Sequence, residues 1–154
     1  MNIFVLDYDP INAAKMQCDK HVVKMPLESA QLLCSAFAKG TAPYKQTHTN
    51  HPCSIWTRES RENYLWLVEH GIALCDEYTF RYGKIHKSKE VIIWCKNNMN
   101  KIKFKGQGKT HFILCFDEKY KVGNAIESYR AYYKQAKVKV AEWNKTRKAP
   151  KWFN

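Results

Sequence analysis

Apolar residues recur every three to four positions through most of the chain, and the polar breaks between them carry helix-start and helix-stop residues. Asn2 to Leu6 is a short apolar run that reads as a strand or an extended lead-in. Asp9-Pro10 combines an N-cap acid with proline at the first helical position, opening a helix to about Gln17. Asp19 reads as the cap of a second helix expected to reach about Lys39, where Gly40 stops it. Its buried stripe is Val22, Val23, Leu27, Ala30, Leu33, Cys34 and Phe37, and the internal Pro26 is expected to kink or split it. Thr41 to Asn50 is polar and holds Pro43, which makes it a loop. Pro52 then opens a short helix. Ser60 caps a longer one from Arg61 to Tyr82, ended by Gly83, with Tyr64, Leu65, Leu67, Val68, Ile72, Leu74, Cys75 and Tyr78 at helical spacing. Ser88 starts another helix, Lys101 to Thr110 is a basic loop, His111 to Phe116 reads as extended, and Asn124 caps a last helix to about Trp143. The fold class is mainly α: a single compact helical domain, residues 1–154, with a short extended N-terminal segment.

Composition narrows the class. With 154 residues, 45% hydrophobic and 26% charged, the chain is globular and can bury a core. No run of 18 apolar residues exists, so no membrane span is expected, and the start lacks the basic region of a signal peptide. Six cysteines stand 16 to 22 residues apart without a C-x-x-C pair, which reads as reduced, buried thiols of a cytoplasmic protein.

Charge changes the picture more. Residues 1–83 carry eight basic and nine acidic side chains. Lys84 to Lys109 holds eight lysines against Glu90, and Lys119 to Asn154 holds ten Lys or Arg against Glu127 and Glu142. Tyr120, Tyr129, Tyr132, Tyr133, Trp143, Trp152 and Phe153 are threaded among the last group. A near-neutral helical body (1–83) is thus joined to a basic, aromatic-rich face (84–154). Cations interleaved with flat π-faces suit a polyanion whose bases stack, so the expected partner is nucleic acid. The cations and aromatic proposed to touch it are Arg58, Lys103, Lys105, Lys134, Arg147, Lys148, Lys151 and Trp152. A well-solvated basic surface is the plain alternative.

Two segments could carry chemistry. In Cys18-Asp19-Lys20-His21-Val22-Val23-Lys24-Met25-Pro26-Leu27-Glu28, the residues Lys20, Lys24 and Glu28 are successive i,i+4 neighbours, with His21 flanking them. This is either an acid/base cluster facing a substrate or a solvated helix face. In Thr47-His48-Thr49-Asn50-His51-Pro52-Cys53, His48 and His51 suit contacts to phosphate or to a displaced base, and His21 is counted with them as a nucleic-acid contact. A zinc set of Cys18, His21, His48 and His51 can be drawn, but its spacing matches no familiar site, so no metal and no cofactor are expected. Gly106-Gln107-Gly108-Lys109-Thr110 lacks the glycine spacing of a phosphate loop.

In outline the chain resembles the small phage pyrimidine-dimer DNA glycosylases of the endonuclease V type. The resemblance rests on Ala13-Ala14 leading to Lys24-Met25-Pro26, on His51 through Arg81-Tyr82-Gly83, and on Tyr132-Tyr133-Lys134 or Trp152-Phe153. It implies a monomer acting on duplex DNA with a damaged or modified pyrimidine, in the host cytoplasm if phage-encoded. It also implies an α-amine that attacks the sugar C1′ to form a Schiff base, with a glutamate stabilising the sugar charge. An α-amine, with an ordinary pKa of about 7.7–8.0, is far more often neutral than a lysine at physiological pH. The family exposes a small residue by removing the initiator Met, whereas Asn2 follows Met1 here. The family's glutamate would fall at Lys24, and Glu28 is the nearest carboxylate one turn on. The candidate catalytic residues are therefore the Met1 α-amine, Lys20 or Lys24 as nucleophile, Asn2 beside Met1, and Asp19 or Glu28 as the acid, with or without strand cleavage. A non-enzymatic nucleic-acid binder and a small nuclease using His48, His51 and Asp19 are the competing functions.

Overall fold

The computed structural model describes all of residues 1–154. Six helices run in order: α1 (Pro10–Met16), α2 (Asp19–Cys34), α3 (Pro52–Glu59), α4 (Arg61–Tyr82), α5 (Ser88–Asn97) and α6 (Ala125–Ala136). Short 3-10 turns lie at Met99–Lys101, Glu118–Tyr120 and Lys151–Phe153, and no strand forms. The chain is mainly α, as its pattern predicts.

The caps explain the boundaries. Asp9 accepts from the amides of Ile11 and Asn12, Ser60 from that of Asn63, and Asn124 forms a capping box with Glu127. Gly83 ends α4 at φ 68°, a left-handed value that a side chain resists. The longest helix, α4, is the axis on which α1, α2, α3 and α5 pack. Gly71 lets α5 close on it, because a Cβ there would come within 2.9 Å of Ile92 Cδ1. One core cluster draws residues from Ile3 to Ala141, so the N-terminal segment and the basic half share a single interior.

Four expectations change. First, α2 ends at Cys34, not near Lys39. Ser35 Oγ lies within hydrogen-bond reach of both Gln31 O and Thr47 O and accepts the Thr47 amide, and the next amides bond three residues back, converting the helix into a turn. Second, Pro26 does not split α2. Third, Val23 and Leu27 are each 42% exposed: they lie beside Lys20 and Lys24, beyond the arc that Val22, Met25, Ala30 and Leu33 bury. Fourth, α6 stops at Ala136, since Lys137 to Val140 alternates lysine with β-branched valine and offers no helical stripe. The tail then returns to α2, where the Asp19 amide donates to Glu142 O at 2.8 Å.

Asn2 to Leu6 is buried but forms no strand, and His111 to Phe116 has no regular structure. Both are held by side chains. Gln17 Nε2 donates to Ile3 O and Phe4 O, Tyr129 OH donates to Ile113 O, and Asn2 Nδ2 donates to Cys115 O. Phe4 has φ 58°, a left-handed conformation costing a bulky residue roughly 1–3 kcal/mol. The contacts that hold it there line the cavity described next.

Candidate active site

A cavity of about 200 Å³ opens where the N-terminal segment crosses α2 and α6. Met1, Asn2 and Phe4 form one wall, His21, Lys24, Met25 and Glu28 of α2 a second, and Cys115, Tyr132 and Lys137 the remainder. Asn2 is locked in place. Its Oδ1 accepts from the Ile3 amide (2.7 Å) and lies 3.0 Å from Tyr129 OH, and the residue is 9% exposed. Its backbone nitrogen donates to Glu28 Oε2 at 3.4 Å. Glu28 has one charged partner, Lys24 at 3.9 Å, and that lysine is largely exposed.

His21 stacks on Phe4 with centroids 4.3 Å apart, and its Nδ1 lies 2.7 Å from Tyr133 OH. Tyr133 OH also accepts the Cys18 amide at 2.9 Å. The buried hydroxyl hydrogen is satisfied only if it points at His21 Nδ1, which makes that nitrogen the acceptor and leaves the hydrogen on Nε2. Burial first, then the nearby Lys137, Lys24 and Lys20, hold the His21 pKa down to about 4. The cavity therefore carries a neutral imidazole donor within a ring of cations.

The sequence candidates divide sharply. Met1, Asn2, His21, Lys24 and Glu28 line one cavity, with Lys20 exposed on the same helix face and close enough to depress His21. Asp19 lies elsewhere: Oδ1 pairs with Arg81 Nη1 at 3.0 Å and Oδ2 accepts the Asn144 amide at 2.7 Å. Arg81 is also paired with Glu77, which accepts from Arg147 Nε at 2.9 Å. Arg147 thus sits in an ion-pair network behind α4 rather than at the cavity. His48 bonds Thr47 Oγ1 on an exposed loop, and Arg58 donates to Thr49 O. Lys103, Lys105, Lys134, Lys148 and Lys151 are exposed. Trp152 is half-buried against Tyr133, with the Arg130 guanidinium over its ring.

Sequence reasoning missed Phe4, Met25, Cys115, Tyr132 and Lys137. Lys137 lies 5.4 Å from the Tyr132 ring centroid and 5.8 Å from that of Phe4, and Tyr132 stacks on Phe116 at 4.6 Å. Only the mixture of Lys and Tyr in this stretch hinted at them. The Cys18, His21, His48 and His51 set is not assembled. Instead His51, Cys53 and Cys115 bring their ligand atoms within 4.8 Å of one another. Hydrogen bonding from the Cys53 thiol lowers the Cys115 pKa and raises that of Cys53, while burial and the positive N-terminus lower that of His51.

A larger cavity, about 490 Å³, is lined by Glu69, Asp76 and Glu77 against Lys15, Lys96 and Arg147. Its mixed charge does not favour a polyanion. The family profile described as pyrimidine dimer DNA glycosylase matches residues 1–91. That span contains both walls carrying Asn2 and Glu28. No curated protein and no solved structure matches the chain.

Proposed function

The chain belongs to the pyrimidine dimer DNA glycosylase family, and from that premise we propose that it excises a damaged pyrimidine by amine attack on the sugar. The nucleophile is the nitrogen of Asn2, freed as an α-amine when the preceding residue is removed. It attacks C1′ of the damaged nucleotide and the N-glycosidic bond breaks. The bonding pair leaves with the base, which takes up a proton; the C1′–O4′ bond then opens, O4′ takes up a proton, and the ring-opened sugar is held as an imine. Glu28 receives the proton shed by the amine and stabilises the positive charge that develops on the sugar. The observation that carries this reading is the 3.4 Å approach of the Asn2 nitrogen to Glu28 Oε2 at the wall of a cavity. Met1 lines that cavity, so its removal would enlarge the space beside the nitrogen. The neutral His21 and the cations Lys24 and Lys137 suit a sugar oxygen and the flanking phosphates.

An imine so formed also opens the route to strand cleavage by β-elimination, in which the C2′ proton and the 3′-phosphate depart. Borohydride reduction of a reaction on pyrimidine-dimer duplex should yield one covalent adduct, and peptide mapping should put it on the Asn2 nitrogen. An adduct on Lys24 or Lys20 would overturn the assignment of the nucleophile. No adduct on any damaged duplex would remove the amine mechanism.

A further inference from the structure

We propose that His51, Cys53 and Cys115 form a binding site for a zinc-class divalent cation that clamps the 111–116 segment to the start of α3. The three side chains come from separate places: His51 is the residue capping α3, Cys53 lies in its first turn, and Cys115 belongs to the irregular stretch after the basic loop. Their ligand atoms already lie within 4.8 Å of each other, and the two sulfurs are 3.2 Å apart. Tetrahedral zinc with bonds of about 2.3 Å to sulfur and about 2.0–2.1 Å to nitrogen needs donor atoms roughly 3.5–3.8 Å apart. The sulfurs must open by about half an ångström to meet that geometry. His51 is half-exposed and holds only the Cys53 amide, at 3.1 Å, so its ring is free to turn a nitrogen toward the ion.

The donor set favours a borderline-soft cation over calcium or magnesium, which take oxygen. On binding, each thiol releases its proton to solvent. The dication and two thiolates then sum to the same charge as the two neutral thiols they replace. The ion therefore leaves the charge near Asn2 and Glu28 unchanged, and its effect is mechanical. Asn2 Nδ2 bonds Cys115 O at 3.3 Å, so fixing Cys115 also fixes the residue beside Glu28. With three protein ligands, solvent completes the four. The other close thiol pair, Cys34 and Cys95 at 3.6 Å, is buried in the core without a third ligand and serves as the internal control.

The experiment titrates the full, reduced chain with Co²⁺ and then displaces it with Zn²⁺. One equivalent of Co²⁺ should produce a sulfur-to-cobalt charge-transfer band in the near ultraviolet, and Zn²⁺ should bleach it. Cys115→Ser and His51→Ala should each weaken uptake at least tenfold while far-ultraviolet circular dichroism confirms the fold. Cys34→Ser should leave the band unchanged. Zn²⁺ should also raise the unfolding temperature of the wild type and not that of Cys115→Ser. The proposal is overturned if the reduced protein gives no band, or if the band survives in both site variants. It is equally overturned if Cys53 and Cys115 are recovered as a disulfide whose reduction restores no metal uptake. No damaged DNA enters this measurement, so its failure and failure of the glycosylase reading are separable.

Discussion

The two carboxylates of α2, Asp19 and Glu28, have opposite fates on the same helix. Both oxygens of Asp19 are engaged at short range: Arg81 at 3.0 Å on one and the Asn144 amide at 2.7 Å on the other. Its network continues through a fully buried Arg81 to Glu77 and Arg147. Glu28 instead makes two long contacts, 3.4 Å to Asn2 and 3.9 Å to Lys24, and faces a cavity. A carboxylate whose partners are already close has little left to offer a substrate. One with weak partners at a cavity wall can still respond to a developing positive charge. Asp19 ties the tail to the helical body, and Glu28 is the carboxylate left facing the cavity.

The sharpest way to break this contrast is Glu28→Gln, which keeps the shape and removes the charge. Release of the damaged base should fall about 100-fold or more, within the range for a positioned acid or base. Affinity for damaged duplex should stay within about threefold, and the melting temperature should hardly move. Full activity in a folded Glu28→Gln protein would return the catalytic role to another group.

Asp19→Asn should do the reverse. It leaves the buried Arg81 with only Glu77, which Arg147 shares, to balance it, and breaking one side of such a buried pair costs about 3–5 kcal/mol. In a chain of this size that is a fall of roughly 6–20 °C in melting temperature. Activity per folded molecule should remain within a few-fold. A stable Asp19→Asn protein that has lost base release would invert the assignment of the two acids.

This division of roles was only half legible in the sequence. Helix starts depend on local chemistry, so Asp9-Pro10, Ser60 and Asn124 announced theirs. The stop of α2 depends on a contact outside the helix, Ser35 to Thr47 O, whereas the Lys137 to Val140 alternation that ends α6 is local, and the expected helix runs through it to Trp143. Spacing placed Lys20, Lys24 and Glu28 on one helix face, but Asp19 carried the same signal until Arg81, 62 residues away, claimed it. Lys137, Tyr132 and Cys115 reach the cavity from segments more than 85 residues beyond Glu28, and only folding brings them there.

The comparison extends to two buried imidazoles. His21 faces the cavity, while His70 is sealed in the core with Nδ1 donating to Pro10 O and Nε2 accepting from Gln17. Burial holds both pKa values down to about 4 from an ordinary 6.5. The unfolded chain therefore binds more protons between those values, so stability rises with pH and is lost as pH falls from 6.5 toward 4. Two such groups give a slope of up to about 2.7 kcal/mol per pH unit. Chemical denaturation at pH 6.5, 5.5 and 5.0 stays above most carboxylate titration and should show progressive loss. A flat profile would mean that the imidazoles are charged in the folded protein. If His21 is the group that meets DNA, bound damaged duplex should shift its titration, read by NMR, and leave that of His70 in place.

The smallest expected effect separates the cations of the two clusters. Lys137 stands at the cavity between the Phe4 and Tyr132 rings and has no carboxylate partner within 4.0 Å, whereas Arg147 is bound to Glu77. If about six cations of the basic half meet phosphates, log K for duplex should fall against log[salt] with a slope near −5. Lys137→Ala should lower the magnitude of that slope by roughly 0.9, because one fewer counterion is released on binding. Arg147→Ala should leave the slope nearly unchanged and show itself as lost thermal stability, since its charge is already neutralised within the protein. Equal slopes for wild type and Lys137→Ala would take Lys137 off the DNA. A reduced slope in Arg147→Ala would mean that the Glu77 pair opens when DNA binds, and the behaviour of Asp19 and Arg81 behind it would then have to be measured on the complex.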